Sequence, residues 1–204
     1  MLALWDVVTL PVLRCPIGWI FQRDRVPSIH AVGERSMTEE SEKTAESESL
    51  TPLPHTAQNR CFGCGEANLS GLHLKFLLAE DGTAVCLATV ANTFEGPPGL
   101  LHGGIIATLL DETMSKAVRA RGLTAMTRQM EIEYLRPVPS GASVRIEGRV
   151  VRSEGRKHWT EARILDAKGV VLALGKGLFV EVRAGRLTSG RPEDRPPLSA
   201  PVEL

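Results

Sequence analysis

Two adjacent acids, Asp111 and Glu112, stand inside a long stretch of helical periodicity that runs from about Gly103 to Arg121 and is closed by Gly122. Projected at about 100° per residue, Ile105, Ile106, Leu109, Leu110, Thr113, Met114, Ala117 and Val118 form a broad apolar arc. Lys116 falls inside the arc near its edge, where its long stem can be accommodated. Asp111 lies at the other edge, among Gly104, Thr108 and Ser115. Glu112 projects elsewhere, near Arg119 and one turn before Lys116, and therefore reads as a surface or interface ion-pair residue. Asp111 has two readings. One is a solvated helix flank. The other is a carboxylate at the margin of a buried face, where burial raises its pKa and small neighbours leave room for a substrate. The chemistry of the second reading is general-base or nucleophilic attack.

The run Leu101-His102-Gly103-Gly104 opens that helix. Glycines need no special explanation in a loop-to-helix turn. In a functional reading, Gly103 and Gly104 expose free backbone N–H groups at a helix N-terminus, donors that polarise a carbonyl and stabilise an oxyanion. His102 either positions a substrate or is structural. Gly104 and Asp111 are seven residues apart, roughly 10 Å along one helix. A reacting atom has to sit about 3 Å from both donor and carboxylate. Two antiparallel helices from two chains meet that requirement, so a functional site is expected to be shared across a dimer interface.

The elements around this helix follow from alternation and turn residues. Leu72, Leu74 and Phe76 alternate with His73 and Lys75, and the turn Glu80-Asp81-Gly82 leads into a second strand at 83–90, so the pair reads as a hairpin. A loop with Gly96, Pro97, Pro98 and Gly99 precedes the helix. Strand-like stretches follow it at 124–136, 142–153, 156–167 and 170–182, separated by Pro137, Pro139, Gly141, Gly155 and Gly169. One long helix among five or six strands joined by tight turns predicts an α+β fold, an antiparallel sheet wrapped on a helix.

The 204 residues suffice for one domain plus tails, and 43% hydrophobic with 24% charged residues is ordinary for a globular protein. Lys plus Arg equals Asp plus Glu at 24 each, so bulk charge points to neither a nucleic-acid nor a membrane partner. Cys15, Cys61, Cys64 and Cys86 are too few for a disulfide scaffold and suggest a reducing, cytoplasmic setting. Cys61 and Cys64 form a single CxxC with no second pair at zinc-finger spacing. It reads as a structural turn, with a redox or metal role as the alternative, and no cofactor or metal is expected. The opening segment is interrupted by Asp6, Pro11, Arg14 and Pro16 and fits a signal peptide poorly. No run reaches the roughly 18–20 apolar residues of a membrane span. Residues 37–58 are acidic and poor in core formers. The expected organisation is an N-terminal extension at 1–58, disordered or loosely packed, with Met37 a candidate start; a folded unit at 59–183; and a Pro-rich flexible tail at 184–204.

Several motifs together resemble hotdog-fold acyl-CoA thioesterases, in particular the PaaI-like group and the mammalian thioesterase-superfamily proteins. They are Cys61-Phe62-Gly63-Cys64-Gly65, Asn68, Gly71-Leu72, the stretch FEGPPGLLHGGIIATLLDE at 94–112, Met126-Thr127, Tyr134-Leu135-Arg136-Pro137, Glu154-Gly155-Arg156 and Phe179-Val180-Glu181-Val182. The likeness spans about residues 60–182. It implies a single hotdog domain paired into a homodimer or dimer of dimers, hydrolysing an acyl-CoA substrate. Asp111 takes the role of base or nucleophile. The helix start at Gly103 and Gly104 forms the oxyanion hole in the partner's site, with His102 beside it. Thr127 on the next strand orients the attacking water. Some relatives carry Asn or Gln six positions before the histidine; here that position is Gly96, which leaves one substrate contact unassigned. Arg136, Arg156 and Lys157, with Arg152 and His158 behind them, are candidates for the CoA phosphates. The alternatives are a non-catalytic acyl-CoA-binding protein and an enoyl-CoA hydratase on the same fold.

Overall fold

The computed structural model describes residues 49–54 and 57–182. In chain order these form β1 (Leu50–Pro52), β2 (Leu77–Ala79), β3 (Ala84–Thr89), a single 3-10 turn at Asn92–Phe94, α1 (Gly103–Arg119), β4 (Ala125–Tyr134), β5 (Ser143–Glu154), β6 (Lys157–Leu165) and β7 (Val171–Glu181). The strands make one antiparallel sheet in the order β1-β2-β3-β5-β6-β7-β4. The expected α+β architecture is therefore present: the sheet lies against α1, the 17-residue helix, which packs on β3 through β7. The sheet has seven strands rather than five or six because two strands of three residues each stand at one end.

The predicted apolar arc is the face of α1 that the sheet covers. Ile106, Leu109, Leu110, Met114, Ala117 and Val118 are buried against Ile146, Ile164, Ala173 and Phe179 from the sheet. Thr113 is fully buried too, and its hydroxyl is satisfied by donating to the Leu109 carbonyl at 2.7 Å. The helix approaches β5 closely at Gly148, where a Cβ would stand 2.9 Å from Thr113 Cγ2 and 3.0 Å from its backbone. The sequence places the end of α1 near Arg121. The regular helix stops at Arg119, and Gly122, at φ +76, takes the left-handed position beyond it.

Two expectations are corrected. Leu72–Phe76 is not a sheet strand, although Leu74 and Phe76 are buried and His73 and Lys75 exposed as alternation requires. His73 sits at φ +50, which interrupts an extended ladder, and the N–H groups of Leu72 and Leu74 donate to Phe62 and Gly63 carbonyls of the CxxC loop instead. The paired strand begins only at Leu77. The second correction concerns the extension placed at 1–58. Within it, Leu50–Pro52 pairs with β2, the Leu53 N–H donates to the Phe76 carbonyl at 2.9 Å, and the Leu53 side chain packs on the core. The readings of residues 1–48, including Met37 and the signal-peptide question, and of the tail at 184–204 lie outside the described residues. Among the described residues no helix is long and apolar enough to cross a membrane.

Candidate active site

Asp111 and Thr127, sixteen residues apart in the chain, meet where α1 crosses the start of β4. The Thr127 hydroxyl donates to Asp111 Oδ1 at 2.7 Å. A β-bulge helps to aim that strand: two residues of β4 oppose one of β7 between Thr127 and Gln129. Burial pushes the Asp111 carboxyl above its ordinary range. The Thr127 bond pulls it back down, and the neighbouring Glu112 charge adds to the rise. Asp111 is thus half-buried and singly hydrogen-bonded, and it opens on a pocket of about 380 Å³ shared with Thr127, Ser115 and Arg119.

At the other end of α1 the chain is held by backbone bonds from the preceding loop. The His102 N–H donates to the Phe94 carbonyl and the Leu101 N–H to the Val138 carbonyl, at 3.0 and 2.9 Å. His102, at φ −61 and ψ 139, is the N-cap, and its Nδ1 accepts the Gly104 N–H at 3.0 Å. With Nδ1 accepting, the neutral ring carries its proton on Nε2. Of the two glycine donors expected to be free, that of Gly104 is therefore occupied, and only the Gly103 N–H lacks a partner among the described residues. Tyr134, at the far end of β4, donates its hydroxyl to the Gly103 carbonyl at 3.2 Å. Sequence reasoning missed this contact, because nothing local ties Tyr134 to the helix start. Gly96 also has a steric role: a Cβ there would stand 3.2 Å from His102 Cα. Any side chain at this position would crowd the histidine.

Glu112, expected as a surface or interface ion-pair residue, does pair with Lys116, but the pair is buried within the chain. Its side chain is 14% exposed and that of Lys116 10%, and the two pair at 3.4 Å. The CxxC loop folds over them. Cys61 Sγ lies 2.9 Å from Glu112 Oε1, and Lys116 Nζ donates to Cys64 Sγ at 2.9 Å. Lys116 also stands 5.5 Å from the centre of the Phe76 ring. The close approach requires Gly63, where a Cβ would collide with Glu112 Cγ at 2.3 Å. Burial, helped by the Glu112 charge, pushes the Cys64 thiol up to about 11, against the Lys116 bond that lowers it. The i,i+4 pair and the CxxC are both legible in the sequence; that they meet is not.

The proposed phosphate residues are not brought together within one chain. Arg136 follows the C-terminal end of β4, beside Tyr134 and the start of α1. Arg156 and Lys157 stand at the β5–β6 turn, near the opposite end of β4, since Lys157 pairs with Val180 and Ala125 with Glu181. The Arg156 guanidinium donates to the Glu181 carbonyl at 2.5 and 3.1 Å. A larger groove of about 1130 Å³ lies on the outer face of the sheet. It is lined by ion-paired side chains such as Glu147, Arg149, Glu161 and Arg163, and it contains none of the residues above.

Residues 98–173 match the thioesterase superfamily. The acyl-coenzyme A thioesterase THEM4 of Bos taurus is 30% identical over 171 residues, which cover 78% of this chain and 66% of that protein. The protein of the same name from Xenopus laevis is 39% identical over 80 residues, 39% of this chain and 36% of that one. The chain thus spans between about a third and two thirds of the length of these relatives. Among solved structures, a thioesterase superfamily protein superposes with a TM-score of 0.58 at 31% identity, covering 60% of each chain.

Proposed function

The chain belongs to the thioesterase superfamily of hotdog-fold proteins, and from that premise we propose that it hydrolyses an acyl-CoA thioester to a free carboxylic acid and CoA. The observation that carries this reading is the Asp111–Thr127 pair in its pocket, on the same helix whose first N–H, that of Gly103, is free to donate. The name of the THEM4 relatives supports the choice of acyl-CoA. In the proposed reaction the Gly103 N–H donates to the thioester oxygen and stabilises the negative charge that develops on it. Ionised Asp111 either takes a proton from water, held in place by Thr127, or attacks the carbonyl carbon directly. The tetrahedral intermediate collapses with loss of the CoA thiolate, which is protonated to the thiol; on the direct route water then hydrolyses the acyl–Asp111 anhydride, releasing the acid and restoring the carboxylate. Trapping a mixed anhydride with hydroxylamine marks the direct route.

The two groups belong to different chains in this proposal. Gly103 and Asp111 are eight residues apart on one continuous helix, about 12 Å along its axis, and cannot both touch one carbonyl. A homodimer formed along β4 supplies the complement. That strand pairs only with β7 among the described residues, leaves its other edge open, and exposes Met126, Tyr134 and Leu135 beside it. Arg136, Arg156 and Lys157 serve the CoA phosphates, and an interface at β4 lets opposite ends of two chains approach one ligand. A cytoplasmic setting belongs to the same proposal: Cys61, Cys64 and Cys86 are free thiols, which a reducing compartment maintains.

The test is a panel of acyl-CoA substrates, from short aliphatic to aromatic, assayed for thiol release by the wild type and by Asp111→Asn. Release from part of the panel, lost in the variant, is the expected result. No release from any member, or release indifferent to Asp111→Asn, overturns the reading.

A further inference from the structure

We propose that Cys61, Cys64 and Glu112 form a binding site for a single divalent cation of borderline softness, zinc being the best match. The two Sγ atoms and a Glu112 carboxylate oxygen lie within 4.8 Å of one another. Tetrahedral ligation with metal–sulfur distances of about 2.3 Å and a metal–oxygen distance of about 2.0 Å places these ligand atoms roughly 3.5–3.8 Å apart. Side-chain adjustments of an ångström or less close that gap. The loop backbone is already fixed: the Gly65 N–H donates to Cys61 O, Leu72 N–H to Phe62 O and Leu74 N–H to Gly63 O, at 2.8–2.9 Å.

Two further observations point to an ion. Glu112 Oε2 is buried without a hydrogen bond, and Lys116 Nζ, at 3.4 Å, is the cation that faces it. Cys64 Sγ is approached by two N–H donors, Lys116 Nζ at 2.9 Å and Asn59 Nδ2 at 3.4 Å, contacts of the kind that orient and support a ligating sulfur once a cation replaces its proton. The charges balance as well. Binding releases the two thiol protons and forms two metal–sulfur bonds and one metal–oxygen bond. The cation, two thiolates, Glu112 and Lys116 then sum to zero, as Glu112 and Lys116 alone do without it, so Lys116 keeps its place. Two sulfurs and one oxygen disfavour calcium and magnesium, which take oxygen sets, and suit zinc. Cys61, Cys64 and Glu112 line the same pocket as Asp111. The ion would clamp the CxxC loop to α1 next to the carboxylate, and this inference does not depend on the thioesterase reading.

The experiment is metal analysis of the purified full chain, followed by cobalt titration of the metal-free protein. The expected result is one ion per chain and a near-ultraviolet thiolate-to-cobalt band that zinc displaces. Cys61→Ser and Cys64→Ser should each abolish the band, and Glu112→Gln should weaken affinity by about tenfold or more. Cys86→Ala, outside the cluster, and Cys15→Ser should retain it, with circular dichroism confirming the fold of each variant. A second readout is thermal: zinc should raise the melting temperature of the wild type and not that of Cys64→Ser. If the protein purifies with a Cys61–Cys64 disulfide, the titration is run after reduction. Reduced protein that gives no band and no bound zinc overturns the proposal, as does cobalt binding that survives in both cysteine variants.

Discussion

Gly103→Pro removes one hydrogen-bond donor and little else, and the structure says why. Gly103 is the first residue of α1, the position at which a helix tolerates proline because the missing N–H has no intrahelical acceptor. The residue before a proline has to be extended, and His102 already sits at φ −61 and ψ 139. The nearest atoms to a Cβ on Gly103 belong to the Tyr134 side chain, at 3.7–3.8 Å, an ordinary contact. Folding stability should therefore be unchanged or higher by about 0.4–1 kcal/mol, the effect of stiffening the unfolded chain. Catalysis should suffer: losing one oxyanion donor lowers kcat about 10²–10³-fold, or about 2.7–4 kcal/mol of barrier. The assay is thiol release from the best acyl-CoA, run beside a thermal melt. Mixing this variant with Asp111→Asn then tests the shared site. In a heterodimer one site carries both defects and the other carries neither, so activity should recover toward half that of a wild-type dimer. A Gly103→Pro protein within about threefold of wild-type activity refutes the donor assignment. Verified heterodimers as inactive as their parents refute the two-chain geometry.

Asp111→Asn and Glu112→Gln should separate activity from stability. The first lowers kcat/KM by about 10²–10⁴-fold with an unchanged melt, since the amide oxygen still accepts from Thr127. The second leaves the buried Lys116 without its carboxylate and costs about 3 kcal/mol of stability in a denaturant titration; equal effects on both quantities from both variants contradict the assigned roles. Two truncations, beginning at Ser49 and at Asn59, should differ, because only the second loses β1 and the Leu53 packing. The longer chain should melt higher by several degrees, about 1–2 kcal/mol, and identical melts would show that β1 contributes nothing. Glu147 tests the outer face. Burial raises its pKa, but bonds from Arg145 and Arg163 at 2.6 and 2.7 Å outweigh this and hold it below the ordinary glutamate range. A lowered folded-state pKa contributes stability above the unfolded pKa and loses it as pH falls through the folded one. Glu147→Gln should therefore destabilise modestly at neutral pH, with the difference from wild type vanishing in acid; a difference independent of pH would exclude the ion pairs as its source.

Much was decided locally. Apolar residues at helical spacing placed α1 from Gly103 to the end of its last turn, because an amphipathic face depends only on residues within a few turns. Alternation and glycine turns gave β3 through β7 within a few residues, since Gly82, Gly155 and Gly169 adopt positive φ where tight turns require it. The same local rules set Asp111 apart from its neighbour. They failed at Leu72–Phe76, where burial alternates as in a strand but the backbone pairs with the CxxC loop, and at β1, whose three residues carry too little pattern to stand out from an acidic segment. What remained depended on distant parts of the chain meeting. Thr127 reaches Asp111 through the β4–β7 register and its bulge. Tyr134 reaches Gly103 because β4 runs back along α1. Lys116 was placed at the edge of the apolar arc and Glu112 read as a surface or interface ion-pair residue, because a helical projection sees one helix alone. The loop carrying Cys61 and Cys64 covers that face and turns an ordinary i,i+4 pair into a buried polar cluster. Periodicity records which residues share a face, and only the packed chain determines what lies against it.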